Sequence, residues 1–77
     1  MNIRVDLQAY LDDYAPGDSG SFAYEMPEGA TVADLIRKLG VPVELAAVIT
    51  IGDDAVDASQ ALKDGDRVTV IPPVAGG

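Results

Sequence analysis

The stretch DRVTVIPPVAGG, residues 66–77, is the part of this sequence around which the rest is organised. Val68 and Val70 alternate with polar neighbours, which predicts a strand with one buried face. Pro72 and Pro73 then end the strand, because proline has no N–H to donate to a sheet and holds the residue before it in extended backbone. The pattern therefore predicts a strand that runs through a stiff, extended exit into a slim tail.

The two glycines of this tail, Gly76 and Gly77, have no Cβ atoms, so a narrow channel can close around their backbone. A carboxylate in water is a poor electrophile. It reacts only after a partner enzyme has made one oxygen a leaving group, for example by adenylation, and a thin peptide could carry it into a nucleotide site. Terminal residues also fray without any function, so the tail taken alone leaves both interpretations open.

The composition excludes several classes of function. A chain of 77 residues predicts one domain, with little room for an enclosed active site beside its core. The sequence has neither cysteine nor histidine, which removes disulfides, thiol catalysis and the commonest general base. We therefore expect no catalytic residue and no tightly bound cofactor.

Charge and hydropathy point to a protein partner. With 13 acidic and 5 basic residues, the formal net charge of −8 argues against binding to nucleic acid or an anionic membrane. A macromolecular partner would more plausibly present a basic surface. No apolar run approaches the roughly 20 residues that span a bilayer, and the N-terminal residues do not resemble a signal peptide. We expect a cytoplasmic protein.

Acidic residues after the third predicted strand, Asp53, Asp54 and Asp57, are the only candidate metal ligands that the sequence suggests. Their spacing does not match a calcium-binding loop. We interpret them as exposed turn residues and predict no metal site.

Hydrophobic periodicity predicts the remaining elements. The predicted strands are residues 3–7, 22–26, 46–51 and 55–57, followed by the strand of the opening stretch. A helical turn at residues 10–14 is expected to pack Tyr10, Leu11 and Tyr14 onto the core, and a second turn is expected at residues 59–62. Residues 16–21 have the composition of a loop.

The clearest helix is residues 31–40. Thr31 is a good N-cap, Asp34 suits the positive end of the helix dipole, and Gly40 suits the left-handed residue that ends a helix. The apolar positions of this helix fall on one face. Their expected role is to pack on the sheet.

We predict an α+β fold, a ubiquitin-like β-grasp in which a mixed sheet of four to five strands carries one main helix across one face. The first and last strands are expected to pair at the centre. Residues 1–72 would form this domain, and residues 73–77 a flexible C-terminal Gly-Gly tail.

Two motifs resemble a known family. LKDGDRV at residues 62–68, followed by PPVAGG at residues 72–77, resembles the ubiquitin-like sulfur carriers of the MoaD/ThiS family, and EGATVADL at residues 28–35 resembles that family's entry into its helix. The small subunit of molybdopterin synthase is the closest match, with the thiamine sulfur carrier as the neighbouring branch. The resemblance covers essentially the whole chain.

The resemblance implies a function in sulfur transfer. An E1-like adenylyltransferase would use ATP to adenylate Gly77, and sulfur from a persulfide would then replace AMP and leave a thiocarboxylate. A larger molybdopterin synthase subunit would receive the tail and pass the sulfur to a cyclic pterin. Gly76 would thread the channel of the partner, and contacts with partners would be made by Pro73, Val74 and Ala75.

Three alternatives remain open from the sequence. The chain could carry sulfur for thiamine or another product, could be a ubiquitin-like modifier conjugated to lysines through Gly77, or could be an interaction domain with an inert tail. Two departures from the family, the turn after Ile51 and the long loop at residues 16–21, leave the branch unassigned. Ile71 is a candidate docking residue, because it is expected on the sheet face opposite the core.

Overall fold

The computed structural model describes residues 1–73 of the chain. Over this range it contains five strands, one α-helix and two 3₁₀ segments. The bounds are β1 Asn2–Leu7, a 3₁₀ segment Ala9–Tyr14, β2 Ser21–Glu25, α1 Val32–Leu39, a 3₁₀ segment Val43–Leu45, β3 Val48–Ile51, β4 Asp54–Val56 and β5 Arg67–Ile71. No helix in this part of the chain is long and apolar enough to cross a bilayer.

The strands form one mixed sheet in the order β2-β1-β5-β3-β4. The central pair, β1 and β5, is parallel, and every other neighbouring pair is antiparallel. The predicted α+β class, the β-grasp arrangement and the central pairing of the first and last strands are confirmed. Because β5 lies at the middle of the sheet, both of its edges are hydrogen-bonded.

The core lies between α1 and one face of the sheet. Residues that alternate along β1 and β5 point into it, and Val5, Val68 and Val70 are fully buried there. From the helix, Val32 and Leu35 are fully buried against them. No polar or charged side chain is buried within residues 1–73, so this core is held by apolar packing alone.

The start of α1 is satisfied by tertiary contacts as well as by its cap. The N–H groups in the first turn of a helix have no partner within the helix. Here the N–H of Val32 donates to the backbone carbonyl of Gln60, and the N–H of Ala33 donates to that of Ala58, both at 2.9 Å. The helical turn predicted at residues 59–62 is wrong for this reason: the segment runs alongside the helix start, and Ala61 pairs with Thr31 in an isolated bridge.

Two other expectations near the ends of elements are also corrected. Of the apolar residues expected to pack onto the core from the first 3₁₀ segment, Leu11 is fully buried, but Tyr10 is half exposed. The third strand begins at Val48 and not at residue 46, because Ala46 caps the preceding 3₁₀ segment with backbone that is not extended, and hydrophobic periodicity did not indicate that segment.

Asp34 gives the helix start a pH dependence. Its carboxylate accepts a hydrogen bond from the backbone N–H of Thr31 at 2.9 Å, which is the largest reason that the pKa of Asp34 lies below its usual 3.8. Arg37, at 3.1 Å, also lowers this pKa. A carboxyl whose pKa is lower in the folded state contributes stability above its unfolded pKa and loses it as the pH falls through the folded value.

We therefore expect the Asp34→Asn variant to lack the stability that the ionised Asp34 carboxylate contributes above about pH 4. Below that pH, the unfolding free energy of the variant should fall less than that of wild type. Urea unfolding at neutral pH and at about pH 3 measures the difference. Asp53→Asn, the same chemical change in the exposed β3–β4 turn, is the control. An identical acid response of wild type and Asp34→Asn would contradict this assignment.

Gly20 closes the long loop against β1. Its carbonyl accepts from the N–H of Leu7 at 2.7 Å, and a Cβ at this position would lie 2.6 Å from the Leu7 carbonyl oxygen. Because backbone would have to move, we expect Gly20→Ala to destabilise the domain by about 1–3 kcal/mol. Gly17→Ala is the control, since a Cβ there meets nothing within 4 Å. Equal unfolding free energies of the two variants would contradict the argument.

Candidate functional site

The end of β5 is the point from which the predicted tail leaves the domain. The carbonyls of the last two residues of β5 are held from both sides: Val70 accepts from the N–H of Gln8 at 3.0 Å, and Ile71 accepts from the N–H of Ala47 at 3.1 Å. Pro72 is buried and Pro73 is exposed. The chain is thus anchored up to Pro72 and emerges from the middle of the sheet, not from a loose edge.

The predicted tail residues fall largely beyond this point. Pro73 is described and exposed, whereas Val74, Ala75, Gly76 and Gly77 lie outside the described residues. The assignment of residues 73–77 as a flexible tail, the modification of Gly77 and the threading of Gly76 therefore remain predictions. The structure shows what precedes them, which is the hydrogen-bonded end of β5 and the buried Pro72.

Exposed apolar side chains gather at the end of the sheet where the chain emerges. We call Tyr10, Val48 and Ile71 the tail-exit patch; their exposed fractions are 50%, 45% and 37%. Val48 is paired with Ile71 across the β3–β5 ladder. Tyr10 is at the same end, because the 3₁₀ segment follows β1, which runs parallel to β5.

The sequence indicated only one of these three residues. Ile71 was expected on the exposed face because it follows the alternation of β5, and the structure places it there. Val48 was hidden inside an apolar run in which inward and outward positions look alike, so only the register with β5 reveals it. Tyr10 was missed because helical spacing alone does not say which aromatic reaches the core.

A second apolar surface lies on the helix side of the sheet. A groove of about 530 Å³ is lined by residues from α1, the second 3₁₀ segment and β3, including Ile36, Val41, Val43 and Ile49. Arg37 is its one charged lining residue among those described. Because the groove holds no nucleophile with a neighbouring base, it does not have the chemistry of an active site.

The acidic turn after β4 is organised by local hydrogen bonds. Asp57 accepts from the hydroxyl and, at 2.9 Å, from the backbone N–H of Ser59, and these bonds lower the pKa of Asp57. No group of three or more acidic side chains within residues 1–73 is arranged to hold a metal ion. The carboxylates of Asp53, Asp54 and Asp57 therefore do not converge.

Comparison with known proteins adds to this geometry. A model described as the ThiS family matches residues 9–77 of the chain. A solved structure from Pyrococcus furiosus, described as molybdopterin converting factor, subunit 1, is 31% identical with a TM-score of 0.76, over 96% of this chain and 99% of that one. A search of curated proteins finds no significant match.

Two more distant structures share the fold. Small archaeal modifier protein 1 from Haloferax volcanii is 20% identical with a TM-score of 0.77, over 95% of this chain and 98% of that one. A chain in the complex of subunits 1 and 2 of molybdopterin-converting factor from Helicobacter pylori is 24% identical with a TM-score of 0.62, over the full length of both. At these identities the likeness concerns architecture.

Proposed function

The chain belongs to the ThiS family, whose members are small ubiquitin-like proteins of the MoaD/ThiS type, and from this membership we propose that it is a sulfur carrier that works through Gly77. The Gly77 carboxylate attacks the α-phosphorus of ATP on an E1-like adenylyltransferase, and pyrophosphate leaves. A persulfide sulfur then attacks the acyl carbon and AMP leaves. A thiol cleaves the resulting acyl disulfide, and a thiocarboxylate remains.

One observation carries this proposal: the family match extends through residue 77 and so includes the PPVAGG segment that follows the central strand in the sequence. A carrier needs a stable body and an acyl end that other proteins can reach. Because β5 is hydrogen-bonded on the β1 side as far as Val70 and on the β3 side as far as Ile71, the domain holds the start of the tail in one position. The chemistry of activation is then supplied by the partner, which binds the ATP.

We assign the carrier to molybdopterin synthesis. The likeness at 31% identity to the P. furiosus molybdopterin converting factor, subunit 1, supports this branch, and the H. pylori complex shows that such a subunit can pair with a second one. A larger synthase subunit would receive the thiocarboxylate and transfer its sulfur to a cyclic pterin. This chain would be the non-catalytic subunit, acting in the cytoplasm.

The decisive experiment is intact-mass spectrometry after incubation with the E1-like enzyme, ATP and a persulfide donor. We expect the chain to gain the mass difference between sulfur and oxygen, and to lose it again when the larger subunit and the pterin precursor are added. Conjugates of the chain with other proteins that survive boiling in denaturant, without any thiocarboxylate, would assign it to the protein modifiers. An unchanged mass would contradict both functions.

The tail-exit patch is the docking surface that this function requires. An apolar residue beside the emerging tail would be covered by the partner that threads the tail, and a charge there would be buried without a counterion. We expect Ile71→Asp to raise the KM of the adenylation reaction for the carrier by about tenfold, which corresponds to about 1.4 kcal/mol.

Val43→Asp is the matched control for this variant. Val43 is 80% exposed and lines the groove on the helix side, so the same change of charge is made outside the face that carries Ile71. We expect its KM to stay close to that of wild type. Equal KM values for the two aspartate variants would remove the docking role of Ile71 without touching the role of Gly77.

A further inference from the structure

Two arginines stand side by side on the outer face of the sheet, the face opposite α1. Arg4 of β1 and Arg67 of β5 are direct partners in the parallel register, and both are exposed while Val5 and Val68, the next residues in each strand, are fully buried. Neighbouring strands lie about 4.8 Å apart. The two guanidinium groups therefore project from adjacent positions on one surface.

Neither arginine forms an ion pair with an acidic side chain of the described residues 1–73. The ion pair found within residues 1–73 joins Arg37 to Asp34, and Arg4 has only a hydrogen bond from its Nη2 to the Ser21 hydroxyl at 3.3 Å. Like charges directly opposite each other in a sheet are unfavourable. The register nevertheless places two of the five basic residues of the chain together.

The arginine pair lies on the same face of the sheet as Ile71 and Val48 of the tail-exit patch. Arg67, Thr69 and Ile71 alternate along β5 on the outer face, so Arg67 and Ile71 are about 13 Å apart at about 3.3 Å per residue. A protein that covers Ile71 and threads the tail would also cover the arginines if it buries the area of a typical protein–protein interface. One surface thus offers an apolar contact near the tail and two cations at its far end.

We propose that Arg4 and Arg67 dock onto a pair of carboxylates on the activating adenylyltransferase, an inference that rests on the proposed carrier function. Arginine suits this role, because its planar fork binds carboxylates in bidentate fashion. The partner must therefore be acidic at this contact, although the net charge of −8 on the chain would by itself favour a basic one. A nucleic acid is not a suitable partner for this surface. Binding of its phosphates requires a clustered basic surface, whereas here two cations lie beside the half-buried Asp6.

The exposure of the pair favours a transient partner over a permanent one. Exposed charges at the rim of an interface mainly speed association and make it sensitive to salt, and they add little to final affinity. A carrier must bind and leave its activating enzyme in every cycle. Permanent subunit interfaces are larger and more apolar than a surface that presents two exposed guanidinium groups.

The test compares two double variants that carry the same formal charge. Arg4→Gln/Arg67→Gln and Lys38→Gln/Lys63→Gln each change the net charge from −8 to −10, because each removes two positive charges. Adenylation kinetics with the E1-like enzyme are measured from about 0.01 M to about 1 M salt, over which the Debye length falls from about 30 to about 3 Å. Thermal unfolding of all three proteins reports whether the fold is retained.

For wild type we expect KM to rise steeply with salt. For the arginine variant we expect a KM at low salt roughly tenfold higher than that of wild type, with an unchanged kcat. Its KM should also depend only weakly on salt, because the charges that steer association have been removed. The lysine variant should follow wild type.

Three results would overturn the proposal. In the first, both double variants show the same KM while wild type is adenylated, which leaves the carrier function intact and shows that only net charge matters. In the second, the arginine variant loses binding to the larger synthase subunit but is adenylated normally, which assigns the pair to that subunit. In the third, wild type is not adenylated at all, and the carrier function fails together with this inference.

Discussion

Deletion of Gly77 is expected to abolish adenylation of the chain and to leave its thermal unfolding unchanged. The deletion makes Gly76 the terminal residue, so the carboxylate falls short of the nucleotide site by up to about 3.5 Å, and the loss of activity should be complete. The deletion removes no side chain, and the buried hydrophobic residues found within residues 1–73 run from Ile3 to Val70. Activity and stability should therefore separate completely in this variant.

ATP–pyrophosphate exchange with the E1-like enzyme measures the first effect, and a melting curve the second. Gly76→Val is the companion variant, because it keeps the length of the tail but thickens it and restricts its backbone. We expect this variant to be poorly adenylated as well. Normal adenylation of Gly76→Val would show that the partner does not close tightly around the tail, and a large fall in melting temperature on deletion of Gly77 would show that the residue belongs to the fold.

Leu35→Ala is expected to have the largest effect on stability. Leu35 is fully buried where α1 meets the sheet, and removal of a buried leucine side chain costs about 2–5 kcal/mol, depending on how far the cavity collapses. A domain of this size has a total stability of about 4–12 kcal/mol. The substitution should therefore remove a large fraction of the total stability and lower the urea midpoint of unfolding accordingly.

Urea unfolding monitored by circular dichroism measures this effect. Val43→Ala is the control, since Val43 is the most exposed large apolar residue among those described and its truncation should stay within about 0.5 kcal/mol of wild type. A similar loss in both variants would mean that the helix does not pack on the sheet as described. The Leu35 variant that remains folded should still be adenylated, because the tail is unchanged.

Local patterns in the sequence were sufficient for most of the architecture. The alternation in β5 has the period of a strand, and residues 32–39 have the period of a helix with Thr31 and Gly40 at its ends; both signals depend only on neighbouring residues. The confirmed cap of α1 follows from this, since Thr31 and Asp34 exchange hydrogen bonds within one turn. The Gly-Gly motif likewise identified the family without any knowledge of the fold.

Errors arose where distant residues compete with local preference. Residues 59–62 have a composition that permits a helical turn, but free N–H groups at the start of α1 bond to the carbonyls of Ala58 and Gln60. That competition involves residues about 25 positions apart along the chain, as for Ala58 and Ala33. A local pattern contains no information about it.

By itself, the sequence determined the strand and helix periods, the apolar core positions and the tail on which the proposed chemistry depends. Only the tertiary structure decided which surfaces accompany that tail. It placed Val48 beside Ile71, and it set Arg4 against Arg67. The reason is that side-chain period is a property of a few consecutive residues, whereas strand order and register result from the burial of the whole core, which joins parts of the chain that the sequence keeps far apart.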